Sequence, residues 1–157
     1  MLLSVHPDVT DEVVSTRVSG RMAHQKRLFA RDVPTLFLID QLALYSLVGS
    51  LDIMAAQLQH LIAMAGRPRV TIQVVPAVAV PSVAHGISLT DGAAYSETSV
   101  NGNVWTDEET RSSLGRVFDT LRSEAWRASE SLVLINEASE LWTGGNLLTA
   151  TATADSA

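Results

Sequence analysis

The feature that most constrains the fold is a strand–helix–strand pattern over residues 35–76. An almost continuously apolar run, Thr35-Leu36-Phe37-Leu38-Ile39, follows a proline and predicts a strand buried on both faces, the usual state of parallel-sheet strands. Val70 to Val75 is rich in β-branched residues, ends at Pro76 and predicts a second strand. Because a helical segment with short connections lies between them, we expect the two strands to be parallel, with a right-handed crossover.

The helix between these strands has the clearest boundaries in the chain. Ser50 is placed to cap its N-terminus, and Asp52 supplies a negative charge in the first turn, where the helix dipole favours one. Gly66 is predicted to end the helix as a left-handed C-terminal cap, with Pro68 just beyond. The apolar positions that recur at helical spacing are Leu51, Met54, Leu58, Leu61, Ile62 and Ala65.

The next part of the chain has the pattern of three short strands joined by tight turns. Gly86 to Thr90 predicts a strand closed by the turn Asp91-Gly92, and Tyr95 to Val100 predicts another. Asn101-Gly102 is the strongest hairpin dipeptide in the chain, and Asn103 to Trp105 completes the pair. We expect an antiparallel meander that forms the second half of the same sheet.

Three further helices complete the predicted architecture. The first runs from about Asp11 to Ala30, with Thr10 as its N-cap. The second begins at Thr106, with Glu109 in the capping-box position, and the third runs from a Ser129 cap through Trp142. Their predicted apolar stripes are Val14, Val18, Met22 (or Arg21), Leu28 and Phe29 in the first, Leu114, Val117, Phe118, Leu121 and Ala125 in the second, and Leu132, Ile135, Ala138 (or Ser139) and Trp142 in the third.

These elements predict the α+β class, with an N-terminal helix, a βαβ unit, an antiparallel β-meander and two C-terminal helices. A chain of 157 residues is long enough to bury its own core. We expect a single α+β domain over residues 11–142, to which the resemblance described below gives a regulatory or effector role, preceded by a flexible N-terminus over residues 1–10. The segment 143–157 is small and polar, which predicts a disordered tail.

The composition excludes several classes of protein. The chain has no cysteine, so it has no disulfide framework, no thiolate zinc site and no cysteine nucleophile. A net charge of −6 argues against broad nucleic-acid binding, which needs a basic face. No apolar run approaches the length of a membrane span, and the first residues lack the pattern of a signal peptide. We therefore expect a cytoplasmic protein that does not associate with membranes.

Motifs of enzyme chemistry are absent from the sequence. The four histidines, His6, His24, His60 and His85, include no pair at the spacing of a helical zinc site. The chain contains no HExxH motif, no nucleophile elbow, no phosphate loop and no dinucleotide-binding glycine motif. We expect no enzymatic activity, no cofactor and no metal.

Two carboxylates allow two interpretations. Asp40 ends the first strand and Glu97 lies in the meander; strand ends of open mixed sheets often hold ligands, and a buried carboxylate pair there would perform acid–base chemistry. In the alternative, Asp40 caps a turn and Glu97 faces solvent or pairs with an arginine. A loop histidine is a further candidate for a pocket. The residues assigned to a ligand or partner pocket are Asp40, Gln41, Gln73, His85 and Glu97.

A cluster of cations lies in and just after the first predicted helix. Five of the eleven Lys and Arg residues fall within fifteen positions: Arg17, Arg21, Lys26, Arg27 and Arg31. The simpler interpretation is a solvated helix end whose dipole favours positive charge. The alternative is a basic interaction patch for a phosphate group or a protein partner.

Short motifs in a fixed order along the chain carry a family resemblance. They are Arg27-Leu28-Phe29-Ala30-Arg31-Asp32, Leu38-Ile39-Asp40, Val48-Gly49, Gln57-Leu58-Gln59-His60-Leu61, Arg67-Pro68, Val70-Thr71-Ile72-Gln73-Val74-Val75-Pro76, Tyr95-Ser96-Glu97, Asn101-Gly102, Phe118-Asp119-Thr120-Leu121-Arg122 and Ser129-Glu130-Ser131. In these residues, the stretch from about Asp8 to Trp142 resembles a domain of unknown function common in actinobacteria. That domain normally follows an Xre-type helix-turn-helix in antitoxin-like, WhiJ-type transcriptional regulators.

The resemblance implies a non-catalytic regulatory domain that binds a small-molecule effector or a protein partner, or that self-associates. Since the chain shows no helix-turn-helix, we expect no sequence-specific DNA binding by this chain alone. A dimerising, dominant-negative fragment of such a regulator is the alternative, and an unrecognised small-molecule enzyme ranks last. The family usually has an acid after Asp40 and then arginines, where this chain has Gln41, Tyr45 and Ser46, so an effector pocket here differs in charge.

Overall fold

The predicted α+β class is confirmed by the computed structural model, which describes residues 11–30, 33–79, 86–97 and 102–144. Residues 1–10, and with them the predicted Thr10 cap, lie outside this range, as do Asn101 and most of the predicted tail. The described elements, in chain order, are α1 (Asp11–Ala30), β1 (Thr35–Asp40), a 3₁₀ helix (Gln41–Leu44), α2 (Leu51–Ala65), β2 (Val70–Val75), β3 (Gly86–Leu89), β4 (Ala94–Glu97), β5 (Gly102–Trp105), α3 (Glu108–Glu124) and α4 (Ala128–Thr143).

The strand–helix–strand unit forms as predicted. β1 and β2 pair in parallel, in a register that runs from Thr35 opposite Val70 to Asp40 opposite Val75. Ser50 caps α2, because its Oγ accepts a hydrogen bond from the N–H of Ile53 at 3.3 Å.

The predicted left-handed cap at Gly66 is wrong. Gly66 has φ −78°, a right-handed conformation, and its N–H donates to the carbonyl of Ile62. The chain instead makes its left-handed step at Arg69, with φ 63°, directly before β2 begins. The reversal between α2 and β2 therefore needs the positive φ three residues later than the glycine suggested.

The strands form two sheets, so the prediction of one mixed sheet is wrong. β3, β4 and β5 form the predicted antiparallel meander, but no described strand of the meander pairs with β1 or β2. The outer edge of β2 is occupied by the connection between α3 and α4. There Val74 accepts a hydrogen bond from the N–H of Trp126 at 3.0 Å and donates its own N–H to Oγ of Ser131 at 2.9 Å. These contacts use the backbone groups with which a third strand would pair.

The core lies between the parallel sheet and the helices α2 and α4. Trp142 is anchored there, because its Nε1 donates to the carbonyl of Leu44 at 2.8 Å. β1 is less deeply placed than predicted: all six of its residues are half-buried, since β1 is paired along one edge only within the described residues. The buried core residues are Leu44, Met54, Leu58, Met64, Ile72, Val74, Ile135, Ala138 and Trp142.

The other predicted helix faces are more exposed than expected. Val18 and Met22 in α1 are about half exposed, and the side chains of Val14, Leu28 and Phe29 lie outside the described part. Leu51, at the start of α2, is also exposed. The predicted stripe of α3 is half-buried or exposed, since no residue of α3 is fully buried.

Two predicted helix caps are displaced. Asp107, not Thr106, caps α3, through a hydrogen bond of 2.8 Å from the N–H of Thr110 to Oδ1 of Asp107. α4 begins before Ser129, with Arg127 at the N-cap position, and the N–H of Arg127 donates to Oε2 of Glu130 at 2.9 Å. Both helices therefore still begin beside a carboxylate, which suits the positive end of the helix dipole.

Candidate functional site

Two of the predicted pocket residues, Asp40 and Gln41, lie at the C-terminal end of β1. Oδ1 of Asp40 accepts a hydrogen bond of 2.9 Å from the N–H of Leu42 and caps the 3₁₀ helix, which confirms that Asp40 caps a turn. Oε1 of Gln41 accepts from the N–H of Ala77 at 3.1 Å. Both side chains are thus bonded to backbone groups of the segments that leave the two strands.

Gln73 lies in β2 and also bonds to backbone. Its Nε2 donates to the carbonyl of Trp126 at 2.8 Å, beside the bonds that Val74 makes to Trp126 and Ser131. Oγ of Ser131 in addition donates to the Trp126 carbonyl at 3.2 Å. Gln73 therefore helps to fix the α3–α4 connection along the edge of β2.

The two remaining pocket candidates are placed differently. Glu97 ends β4, opposite Gly86 and Gly102, so it belongs to the meander and not to the sheet that holds Asp40. The Glu97 side chain and all of His85 lie outside the described residues. The structure thus places Asp40 and Gln73 on one sheet, with Gln41 directly after β1, and the five-residue pocket stays a prediction.

The predicted basic patch lies on α1 as far as the structure describes it. Arg21 and Lys26 are exposed on this helix. Arg17 and Arg27 also belong to α1, but their side chains lie outside the described part, and so does Arg31 altogether. The patch as an interaction site stays a prediction.

Exposed apolar residues are concentrated on the connection between β1 and α2 and on the first turn of α2. Five large hydrophobic side chains within twelve residues are exposed to solvent: Leu42 (57%), Leu47 (51%), Val48 (54%), Leu51 (37%) and Ile53 (58%). Single exposed hydrophobic residues are normal on protein surfaces, whereas large contiguous patches of them are typical of interaction sites. We call these five residues the connection surface.

Hydrogen bonds and one glycine fix the backbone beneath the connection surface. The carbonyl of Leu42 accepts from Oγ of Ser46 at 2.7 Å and from the N–H of Tyr45 at 3.1 Å. Gly49 has φ 79°, and a Cβ at this position would lie 2.9 Å from Cδ1 of Ile53. A side chain at Gly49 is disfavoured both by conformation and by space, so the exposed side chains are presented on a defined backbone.

A shallow cavity of about 200 Å³ lies where α3 begins beside the turn between β3 and β4. Nη2 of Arg111 donates to the carbonyl of Asp91 at 2.6 Å, and its Nη1 contacts Oε2 of Glu108 at 2.9 Å. The cavity is smaller than ordinary ligand pockets, which span roughly 300–1,000 Å³. Its lining residues are Leu89, Thr90, Ala93, Ala94, Glu108, Arg111 and Ser112.

Across residues 11–30, 33–79, 86–97 and 102–144, His, Asp and Glu side chains form no group of three that would hold a metal ion. None of the helices in these ranges combines the length and the apolarity that a membrane span requires.

Two structural roles found here had weak signals in the sequence. The first is the buried Ser131 of α4, whose Oγ accepts the N–H of Val74. The second is the contact between α2 and α4 in which Nε2 of Gln59 donates to Oγ of Ser139 at 2.9 Å, across 80 residues of sequence. A serine within an apolar helical stripe was the available signal for both contacts.

The comparisons with known proteins give a family and no function. No curated protein and no solved structure matches the chain. The family model described as "Domain of unknown function (DUF5753)" matches residues 1–137, which is most of the chain. The chain therefore belongs to the DUF5753 family.

Proposed function

We propose that this DUF5753 domain is a non-catalytic regulatory module that binds a protein partner through the connection surface. The observation that carries the proposal is the exposure of five large hydrophobic side chains between Leu42 and Ile53. Buried apolar anchors supply much of the binding energy at protein interfaces, and here they are already presented to solvent. Because the backbone beneath them is held by Ser46, Gly49 and Ser50, binding costs little ordering of this segment.

The charges around the connection surface indicate the chemistry of the partner. Asp40 precedes it, Asp52 lies between Leu51 and Ile53, and residues 41–51 contain no charged side chain. The whole chain carries a net charge of −6. A partner with an apolar contact face and a basic rim would complement this arrangement, and its charges would speed association.

The polar side chains at the strand ends support a binding role over catalysis. Asp40, Gln41 and Gln73 each bond to a backbone group and hold connecting segments in place. These contacts give all three side chains a structural role, and glutamine amides do not serve as general acids or bases. The resemblance to helix-turn-helix regulators suggests that the partner is a small companion protein, and that the domain is the effector-binding half of such a regulator.

Calorimetric titration of the chain with the product of the neighbouring gene tests the proposal. We expect saturable binding that the double variant Leu47→Ser/Val48→Ser weakens at least about tenfold, because two contact side chains lose their apolar atoms. The matched control is Val104→Ser on β5, where the side chain is 68% exposed and remote in sequence from the surface. Absence of binding, or equal binding by both variants, would count against the proposal.

A further inference from the structure

The outer edge of β1 carries unpaired backbone groups. The N–H of Thr35 donates to the carbonyl of Arg69 at 2.8 Å, so the backbone groups of Thr35 face β2. Because these groups alternate in direction along a strand, those of Leu36 and Leu38 face away from β2. Leu36 and Leu38 make no hydrogen bond through these outward groups to any residue that the structure describes.

The two outer edges of the parallel sheet differ in whether described residues cover them. Trp126 and Ser131 cover the outer edge of β2. The outer edge of β1 has no covering segment within the described residues, and β1 contains no proline, lysine or bulge that would discourage pairing. All six β1 residues are half-buried, so the strand is accessible. An apolar edge of this kind is a template for another strand.

We propose that the outer edge of β1 pairs with the same edge of a second copy of this chain. The pairing is antiparallel about a two-fold axis at Phe37, with Leu36 opposite Leu38 of the second copy. In this register the outward groups of the two leucines form four hydrogen bonds, two from each copy. The result is a continuous four-stranded sheet with the order β2, β1, β1 of the second copy, and β2 of the second copy.

A second copy fits this edge in sequence and in charge. The same register places Thr35 of one copy opposite Ile39 of the other and Phe37 opposite its own counterpart, so apolar or methyl-bearing side chains meet along the paired strands. Asp40, which is the one charged residue of β1, lies opposite Pro34 of the second copy, and no like charges face each other.

This inference goes beyond the proposed function, because it concerns the sheet edge and a copy of the same chain. Leu47 and Val48, which test partner binding, lie outside the paired strands. Dimerisation and partner binding can therefore fail separately.

Sedimentation equilibrium across the micromolar range tests the dimer, with Leu38→Pro and Leu38→Val as matched variants. Proline removes the outward N–H of Leu38 and leaves the hydrogen bonds to β2 intact, and proline is tolerated at such edge positions. Valine is close to proline in size and keeps the N–H. We expect wild type and Leu38→Val to approach twice the monomer mass of 16.8 kDa, and Leu38→Pro to dimerise at least about tenfold more weakly. A wild-type monomer throughout, or equal dimerisation by both variants, overturns the proposal.

Amide-resolved hydrogen exchange of the wild type keeps the test decisive if Leu38→Pro fails to fold. We expect the amides of Leu36 and Leu38 to become more protected as the protein concentration rises. The amide of Ile39 faces β2 and serves as the internal control, since its protection does not depend on a second copy. Concentration-independent exchange at Leu36 and Leu38 overturns the proposal.

Discussion

Two halves of the molecule differ in how deeply their helices are packed. α2 and α4 pack against β2, and in this half side chains such as Leu58, Val74 and Ile135 are at most 2% exposed. α3, which packs beside the meander, has no fully buried residue, although its apolar residues recur at regular helical spacing. The comparison teaches that periodicity identifies which face of a helix turns inward, while the size of the opposing surface decides how deeply that face is buried.

The two sheets explain why α3 is less deeply buried than α2 and α4. The strands of the meander are four residues long and leave hydrophobic side chains such as Leu89 and Val104 exposed, Val104 at 68%. β2 has six residues and receives α2 and α4 on the core side, where Ile72 and Val74 are buried. A short, solvated sheet removes less apolar surface from water, so it stabilises the helix beside it less.

The largest expected effect comes from breaking the deeply packed half. Ile135→Ala should lower the free energy of unfolding by about 2–5 kcal/mol, because Ile135 is 0% exposed and its truncation leaves a cavity. The matched change Leu121→Ala in α3 should cost less, on the order of 1 kcal/mol, since Leu121 is only half-buried in the folded chain. Urea unfolding of both variants measures the difference. Equal losses would show that the two halves are equally well packed.

A smaller effect is expected at the contact that covers the edge of β2. Ser131→Ala should lower the free energy of unfolding by about 1–3 kcal/mol, because the buried N–H of Val74 loses its acceptor. Ser123→Ala is the control: Oγ of Ser123 donates to the carbonyl of Thr120 at the surface, and its loss should cost within about 0.5 kcal/mol. Thermal unfolding checks the stability and hydrogen exchange checks the Val74 amide. An unchanged Val74 amide in Ser131→Ala would contradict this role of the serine.

The smallest effect is expected at the exposed start of α3, in the meander half. The backbone N–H of Thr110, which donates to Oδ1, lowers the pKa of Asp107 from its ordinary value of 3.8, with smaller help from the Thr110 side chain and the charge of Arg111. Because the pKa is lower in the folded state, the charged cap stabilises the fold above the ordinary pKa, and this contribution is lost as the pH falls through the folded value. Thermal midpoints of wild type and Asp107→Asn should therefore differ slightly at neutral pH and converge in acid. A difference that does not change with pH would contradict this role of the charge.

Local sequence patterns predicted the elements of this fold well. The bounds of α1, α2 and β2 agree with the predictions, since periodicity and composition act within each segment, and Ser50 caps α2 as predicted. The caps of α3 and α4 were misplaced by one or two residues because neighbouring polar side chains compete for the same role. The turn after α2 was mispredicted at Gly66, because the position of β2 requires the left-handed step at Arg69.

The candidate site was less predictable than the fold. Sequence motifs drew attention to Asp40, Gln41 and Gln73, which prove to bond to backbone groups of other segments. The connection surface was visible only once the exposure of its side chains was known. A hydrophobic residue in a sequence carries no sign of whether its neighbours cover it.

The strand–helix–strand unit and the meander were thus determined by the sequence itself, because strand and helix patterns and hairpin turns are properties of a few adjacent residues. The tertiary structure alone decided that the strands divide into two sheets, and that described residues cover the outer edge of β2 but not that of β1. The covering contact joins Val74 to Ser131, 57 positions further along the chain. A hydrogen bond between residues so far apart depends on how the helices pack, and no local pattern encodes it.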